Sequence, residues 1–280
     1  MCLVNSNSIK NKFLKRIVDH IFYLTFVFVY VPGFSYFHLA IVLPTFVEAW
    51  SLSHYIHLFI SYFLLLNVIS NMIFGMFTET SIKGRFLSIV DIRDWTLCSV
   101  CECLCPPRSW HCNICNICIL KRDHHCTFFA CCIGYFNFRY FIYFTLYTFI
   151  CNTYSLYYNV KYFAPFFVWN NGIVILKFVF PLINIFFGFG YETMGVFLIV
   201  LNFLVAAITG FLFIFHLNNV LKGRVSPEIK RGVKGMVNKG WKSNLIEVFG
   251  SRWYLTWLAA FINSPLPGNG LEWVVDDKFE

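Results

Sequence analysis

The sequence predicts an all-α integral membrane protein with four transmembrane helices and a small cytosolic cysteine-rich domain between spans 2 and 3. Three observations predict it. Of 280 residues, 58% are hydrophobic, 13% are charged and 35 are phenylalanine, with a mean hydropathy of +0.64. A soluble domain carries about a quarter charged residues, so this chain needs lipid as its solvent for most of its length. Apolar runs of about 20 residues recur, each long enough to cross about 30 Å of hydrocarbon. Finally, ten of the 12 cysteines lie between Cys98 and Cys132, in one polar stretch.

The spans follow in order. The first runs from about Ile21 to Pro44, with Pro32-Gly33 expected to kink it. Lys10, Lys12, Lys15 and Arg16 precede it. It is too long for the apolar part of a signal peptide and has no clear small-residue cleavage site, so it reads as a retained signal anchor. Position 2 is Cys2 rather than glycine, so myristoylation is not indicated. The second span runs from about Ile56 to Phe77, the third from Tyr140 to Tyr158 and the last from Met194 to Leu217. The runs are too long for barrel strands, and open sheet edges do not face lipid, so the spans are helices.

Gly172 to Phe189 is also apolar, but it contains Lys177 and Pro181. Charge decides how it is read. The segment before span 1 has four Lys/Arg, and the connection from Pro44 to Tyr55 has none. Thr78 to Arg139 has seven: Lys83, Arg85, Arg93, Arg108, Lys121, Arg122 and Arg139. The third connection has Lys161 and Lys177, and the tail has nine, among them Lys222, Arg224, Lys230 and Arg231. Four spans put every basic-rich segment on one side. The 172–189 stretch is therefore read as re-entrant or interfacial. The expected organisation is 1–77 (N-terminus and spans 1–2), 78–139 (cysteine-rich domain), 140–217 (spans 3–4) and 218–280 (tail), with both termini and the domain cytosolic. The net charge of +8 then belongs to the membrane surface, with no nucleic-acid partner.

The central segment reads Cys98-x2-Cys101, His111-Cys112-x2-Cys115-x2-Cys118, Asp123-His124-His125-Cys126 and Cys132. Cytosolic thiols stay reduced, which disfavours a disulfide framework. Two thiolates of a C-x2-C pair can reach one Zn²⁺ at about 2.3 Å, and a second pair or a histidine completes the tetrahedron. Two closed sites need eight ligands from ten cysteines and three histidines, so some thiols are left over. Cys103, Cys105 and Cys131 lie outside the spacing and read as bystanders, and Cys2 and Cys151 have no motif around them. Cys126 follows two histidines and a carboxylate, the groups that activate a thiolate nucleophile. One histidine can bind zinc while the other faces the thiol. Spacing alone does not say which.

Asp123-His124-His125-Cys126 within Cys98–Cys132 resembles the signature of the DHHC family of protein S-palmitoyltransferases, and the four-span layout is similar to that family's. The resemblance implies one structural zinc held by Cys98, Cys101, His111 and Cys118, and a second held by Cys112, Cys115, His125 and Cys132. It implies Cys126 as the acylated nucleophile, His124 as its base and Asp123 as the group orienting His124. After the nucleophile the family commonly has Pro-Trp-Val-Asn-Asn-Cys, where this chain has Thr127-Phe128-Phe129-Ala130-Cys131-Cys132. Asn137 and Phe141 resemble residues leading into the family's third span. Val225-Ser226-Pro227-Glu228 partly matches its Thr-Thr-x-Glu motif. Asn244 to Gly250 resembles its C-terminal Asn-aromatic-Gly motif, which packs against the membrane domain.

The implied activity is transfer of a fatty acyl group from acyl-CoA, palmitoyl-CoA in particular, through acyl-Cys126 to cytosolic cysteines of membrane-associated proteins. Lys121, Arg122 and Arg139 are candidates to meet CoA phosphates. Trp253, Tyr254 and Trp257 suit an interfacial position. Two other classes compete: an inactive zinc-stabilised membrane scaffold, and a metal transporter. Against the transporter, His20, His38 and His216 sit near span ends or bends without a paired relay. No clear lysine retention signal ends the chain, so endoplasmic reticulum, Golgi and plasma membrane all fit, with an internal membrane, endoplasmic reticulum or Golgi, the expected site.

Overall fold

The computed structural model describes residues 6–84, 95–167, 172–188, 190–232 and 238–273. Cys2, Arg85, Arg93 and Phe189 lie outside the described residues.

Helix dominates, as apolar runs in a chain with this many hydrophobic residues require. Helix α1 (Ser6–Thr25) continues through a π-helical turn at Phe26–Tyr30 into α2 (Val31–Tyr36). A second π-helical stretch (Phe37–Val42) and a 3₁₀ turn (Leu43–Thr45) follow. Pro32 lacks an N–H, and its ring clashes with a carbonyl one turn back. The widened turn just before it absorbs that clash, so Pro32-Gly33 alters the helix without ending it. Helix α3 (Leu52–Phe77) follows. Among the described residues, three helical runs are long and apolar enough to cross a membrane: Lys12–Thr45, Leu52–Phe77 and Tyr191–Leu221. They enclose the first, second and last expected spans and extend each of them.

Helix α4 (Phe138–Phe163) covers the expected third span with 26 residues, about 39 Å at 1.5 Å per residue. Its apolarity is diluted by many tyrosines and by buried Thr145, Thr148, Asn152, Ser155 and Asn159. The 172–189 stretch forms two short pieces, α5 (Ile173–Val179) and a 3₁₀ segment (Pro181–Phe187), divided at Pro181. Neither piece is long enough to cross a bilayer alone. Helix α6 (Tyr191–Leu221) is followed by the short α7 (Ser226–Lys230) and α8 (Trp241–Phe249).

The cysteine-rich segment corrects the all-α expectation. It is built from three antiparallel hairpins of three-residue strands: β1 (Thr96–Cys98) with β2 (Cys103–Cys105), β3 (Trp110–Cys112) with β4 (Ile117–Ile119), and β5 (His124–Cys126) with β6 (Cys131–Ile133). Glu102, Asn116 and Ala130 take positive φ in the three turns, the left-handed conformation that tight hairpins require. Isolated two-stranded hairpins are marginal in water, so these need cross-links.

By internal contacts the chain divides into two units. One comprises residues 29–68 and 145–213. Its core includes Phe163, Phe167, Val196 and Ile199, and the Tyr30 hydroxyl donates to Asn152 Oδ1 at 2.5 Å. There Lys177 is buried against Glu192 at 2.9 Å. The other unit comprises 1–28, 69–144 and 214–280 and holds the hairpins and the tail. In it, Leu120, Tyr135 and Leu271 form a core joined by Phe136, Leu266 and Trp273. Gly250 ends α8 with φ +82°, facing Ser264 so closely that a Cβ would overlap the Ser264 backbone. Only glycine fits both demands.

Candidate active site and metal centres

The hairpins bring together both ligand groups named from the sequence. The donor atoms of Cys98, Cys101, His111 and Cys118 lie within 4.8 Å of one another, and so do those of Cys112, Cys115, His125 and Cys132. In the first group His111 Nδ1 is 3.2 Å from Cys101 Sγ and 3.9 Å from Cys118 Sγ. In the second, His125 Nδ1 is 3.3 Å from Cys115 Sγ and 3.7 Å from the sulfurs of Cys112 and Cys132. The Cys101 backbone N–H donates to Cys98 Sγ, and that of Cys115 to Cys112 Sγ, each at 3.4 Å. Such bonds favour a thiolate in each knuckle. The donor set of three sulfurs and one imidazole is that of a closed tetrahedral zinc site, so each group can hold a zinc ion.

One further contact tests the fit. His125 Nε2–H donates to Asp19 Oδ2 at 2.9 Å. A carboxylate only accepts, so the proton sits on Nε2 and the Nδ1 lone pair is left for the sulfur-lined centre. A metal-ligating histidine is oriented in this way by an outer carboxylate. Asp19 is itself buried and paired with Lys15 at 3.0 Å.

Strand β5 sorts the adjacent histidines. Side chains of successive strand residues point to opposite faces. His124 and Cys126 therefore share one face, and His125 turns to the other, toward the second cluster. His124 Nδ1–H donates to Asp123 Oδ2 at 2.7 Å, and Cys126 on the same strand face is a second group that favours its protonated ring. Burial alone would lower the basicity of His124, but the bond to Asp123 and the nearby Cys126 outweigh it and raise the group to about 9. Asp123 is almost wholly buried. Burial would raise its carboxyl, yet His124, the nearby His216 and the Ser226 backbone N–H hold it below the usual carboxylate range. Cys131 faces Cys126 across the hairpin. Burial and the neighbouring sulfurs push its thiol up to about 12, leaving it a poor nucleophile at neutral pH.

Two residues at this site were not among the expected site residues. Asp19 is one. The other is His216 on α6, whose Nδ1 lies 3.4 Å from Asp123 Oδ2 and whose ring is 5.3 Å from that of His124. His216 is an ionisable group inside an apolar run, a signal that by itself suggests function, whereas Asp19 lies just before the first expected span.

The tail completes the surroundings of Asp123. The Ser226 backbone N–H donates to Asp123 Oδ1 at 2.8 Å and its hydroxyl to Oδ2 at 3.1 Å. Glu228 accepts two bonds from Arg108, at 2.6 and 3.0 Å, and one from the Val225 N–H at 2.9 Å. Lys121 pairs with Glu247 at 2.6 Å, and Arg108 stacks over Trp273 at 4.6 Å. These two cations and two carboxylates are buried and balance one another. Asn244 donates to the Leu221 carbonyl at the end of α6 at 2.9 Å. Lys121 is thus engaged internally and unavailable to a CoA phosphate. Arg122 faces the sulfurs of Cys112 and Cys132, and Arg139 stacks on Tyr140 and donates to Ser264 O at 3.3 Å.

The unusual stretch after Cys126 is packed in place. Lys15 Nζ donates to Thr127 Oγ1 at 3.0 Å. Phe128 meets Phe22 and Phe26 edge-on, and Phe129 is buried against Phe141 and Phe144.

Comparison with known proteins agrees with this geometry. The profile of the DHHC palmitoyltransferase family matches residues 91–231. The chain is 34% identical over 235 residues to "Probable palmitoyltransferase ZDHHC24" of Danio rerio, covering 80% of this chain and 77% of the relative. It is 29% identical over 230 residues to the protein of that name in Mus musculus, covering 74% of each. To "Palmitoyltransferase ZDHHC22" of Mus musculus it is 32% identical over 173 residues, 57% of this chain and 62% of the relative. The inactive-scaffold alternative is not favoured by these relatives. The chain belongs to the DHHC palmitoyltransferase family and is a protein S-acyltransferase.

Proposed function

We propose that Cys126 carries the acyl group between donor and acceptor, with His124 moving the proton and Asp123 orienting His124. One observation carries this reading: His124 is hydrogen-bonded to Asp123 and shares one face of β5 with Cys126, while His125 is turned away and held by Asp19. His124 takes the proton that Cys126 gives up as Sγ attacks the thioester carbonyl of a fatty acyl-CoA, palmitoyl-CoA in particular. It returns a proton to the departing CoA thiolate. In the second step the thiol of a target cysteine passes its proton to His124 and attacks acyl-Cys126, and the Cys126 thiolate leaves. Each step exchanges one thioester for another, so little free energy is lost and no ATP is needed. Asp123 stabilises the imidazolium that forms each time. Ser226 fixes the carboxylate that does so.

Zinc, when bound by Cys98, Cys101, His111 and Cys118 and by Cys112, Cys115, His125 and Cys132, supplies cross-links that hold the hairpins and offers no open position for chemistry. The resulting rigidity keeps His124 and Cys126 in register.

The membrane arrangement that suits this chemistry has four spans, α4 being the third, with 172–189 re-entrant or interfacial and the hairpins and both termini cytosolic. Each buried acyl methylene is worth about 0.8 kcal/mol, so the chain of the donor stays in lipid and its carbonyl sits near the headgroups. The motif ends 12 residues before α4 begins, which keeps Cys126 near that surface. Acceptors are membrane-associated proteins with cytosolic cysteines, in an internal membrane.

Incubation of the purified chain with labelled palmitoyl-CoA tests the reading. A hydroxylamine-sensitive adduct, absent in Cys126→Ser, is expected. Zinc-replete, folded protein that forms no adduct would refute it.

A further inference from the structure

Beside the first four-donor group stands a third set of thiols that the acyltransfer scheme does not use. The sulfurs of Cys103, Cys105 and Cys118 lie within 4.8 Å of one another. Cys118 is fully buried and also belongs to the first group, and Cys105 is 3% exposed. The fold puts them there. Cys103 and Cys105 are i and i+2 on β2, so both side chains take the same face. Register pairs Cys103 directly with Cys98, a member of the first group. Cys118 reaches the same place from β4. Five cysteines and His111 therefore share one corner of the hairpin domain, where one closed tetrahedral site needs four donors.

We infer that Cys103, Cys105 and Cys118 bind a third metal ion, a soft monovalent one of the Cu(I) class, with Cys118 shared between it and the neighbouring zinc group. Three arguments select this ion. The donors are all sulfur, which favours soft ions, whereas a closed zinc site requires a fourth ligand. Among the described residues no fourth His, Cys, Asp or Glu joins this group, so its geometry is trigonal. Metal–sulfur bonds of about 2.3 Å place three trigonal sulfurs about 4 Å apart, which is compatible with the spacing observed. Binding breaks two S–H bonds: Cys103 and Cys105 release their protons to solvent, Cys118 is already a thiolate at the zinc, and no electron is transferred. The sequence reading of Cys103 and Cys105 as bystanders gives way to a paired role.

The test is metal counting on the full-length purified chain, reduced and zinc-loaded. Cu(I) is added anaerobically as its acetonitrile salt in the presence of a Cu(I) chelator as competitor. The expected result is one copper retained per chain with both zincs still bound, and no retained copper in Cys103→Ser/Cys105→Ser, which keeps two zincs and unchanged acyl-enzyme formation. Copper K-edge absorption on the wild-type chain should show three sulfur neighbours only, a readout that stands even where the double variant folds poorly. Loss of all copper to the chelator would overturn the inference. So would displacement of zinc one for one, nitrogen or oxygen in the copper shell, or full copper uptake by a folded double variant.

Discussion

Asp19 Oδ2 lies 2.9 Å from His125 Nε2, joining a buried carboxylate in the first helical run to a histidine 106 residues away in the second metal centre. Removing an outer partner of this type lowers metal affinity by about 10–100-fold. Asp19→Asn is therefore expected to release one of two zincs to a chelator at a concentration about 10–100-fold lower than wild type requires. Zinc release followed with a colorimetric indicator checks this. Equal release from both proteins would show that the contact does not orient His125.

Asp123 receives both the backbone N–H and the hydroxyl of Ser226. Ser226→Ala removes only the hydroxyl bond, worth about 1 kcal/mol, and should slow formation of the acyl-enzyme by roughly fivefold. Asp123→Asn leaves the shape but loses the charge that supports a protonated His124. A loss of about a thousandfold or more is expected, by analogy with the orienting aspartate of serine proteases. Single-turnover rates with labelled palmitoyl-CoA distinguish the two sizes of effect.

The raised basicity of His124 also predicts a pH dependence of stability. Its folded pKa, about 9, lies above the ordinary histidine value of 6.5. The stabilisation it contributes is complete below about 6.5. It declines above that and is lost as pH rises through about 9. Thermal unfolding of zinc-loaded protein should show a falling midpoint across this window, and His124→Gln should flatten that part of the curve. A midpoint equally steep in the variant would assign the alkaline loss to other groups.

Arg108 and Glu228 form a buried bidentate pair that ties the hairpin domain to the tail. Removing one member leaves the other charged and unpaired, at a cost of about 3–5 kcal/mol, a large part of the 5–15 kcal/mol that holds a domain folded. Glu228→Ala should detach α7, exposing the tail to protease, and should lower acyl-enzyme yield. Replacing both residues by methionine should recover part of the stability. Limited proteolysis reads the first effect and thermal unfolding the second.

The metal groups were legible in the sequence because each draws on donors within 21 residues of chain, Cys98 to Cys118 and Cys112 to Cys132, and the C-x2-C spacing encodes a knuckle directly. The division of labour between His124 and His125 came only from the family resemblance, since spacing is blind to which face a residue takes; the three-residue strand β5 puts the two side chains on opposite faces. The hairpins themselves were missed. Strands this short leave no alternating pattern to read, and the turns depend on Glu102, Asn116 and Ala130 adopting positive φ. Asp19 and His216 reach the site from helices far away in sequence, so no local motif announces them. Lys121 reads from the sequence as a candidate for CoA phosphates because its partner, Glu247, lies 126 residues on.

The central claim is that His124 activates Cys126 and leaves its cross-strand neighbour Cys131 inert. Peptide mapping of the chain after brief incubation with labelled palmitoyl-CoA tests it directly. The label is expected on Cys126 alone, in wild type and in Cys131→Ser, and is expected to disappear in folded, zinc-loaded Cys126→Ala. Label on Cys131 in the wild-type chain, or label persisting at any cysteine in Cys126→Ala at the wild-type rate, would contradict it.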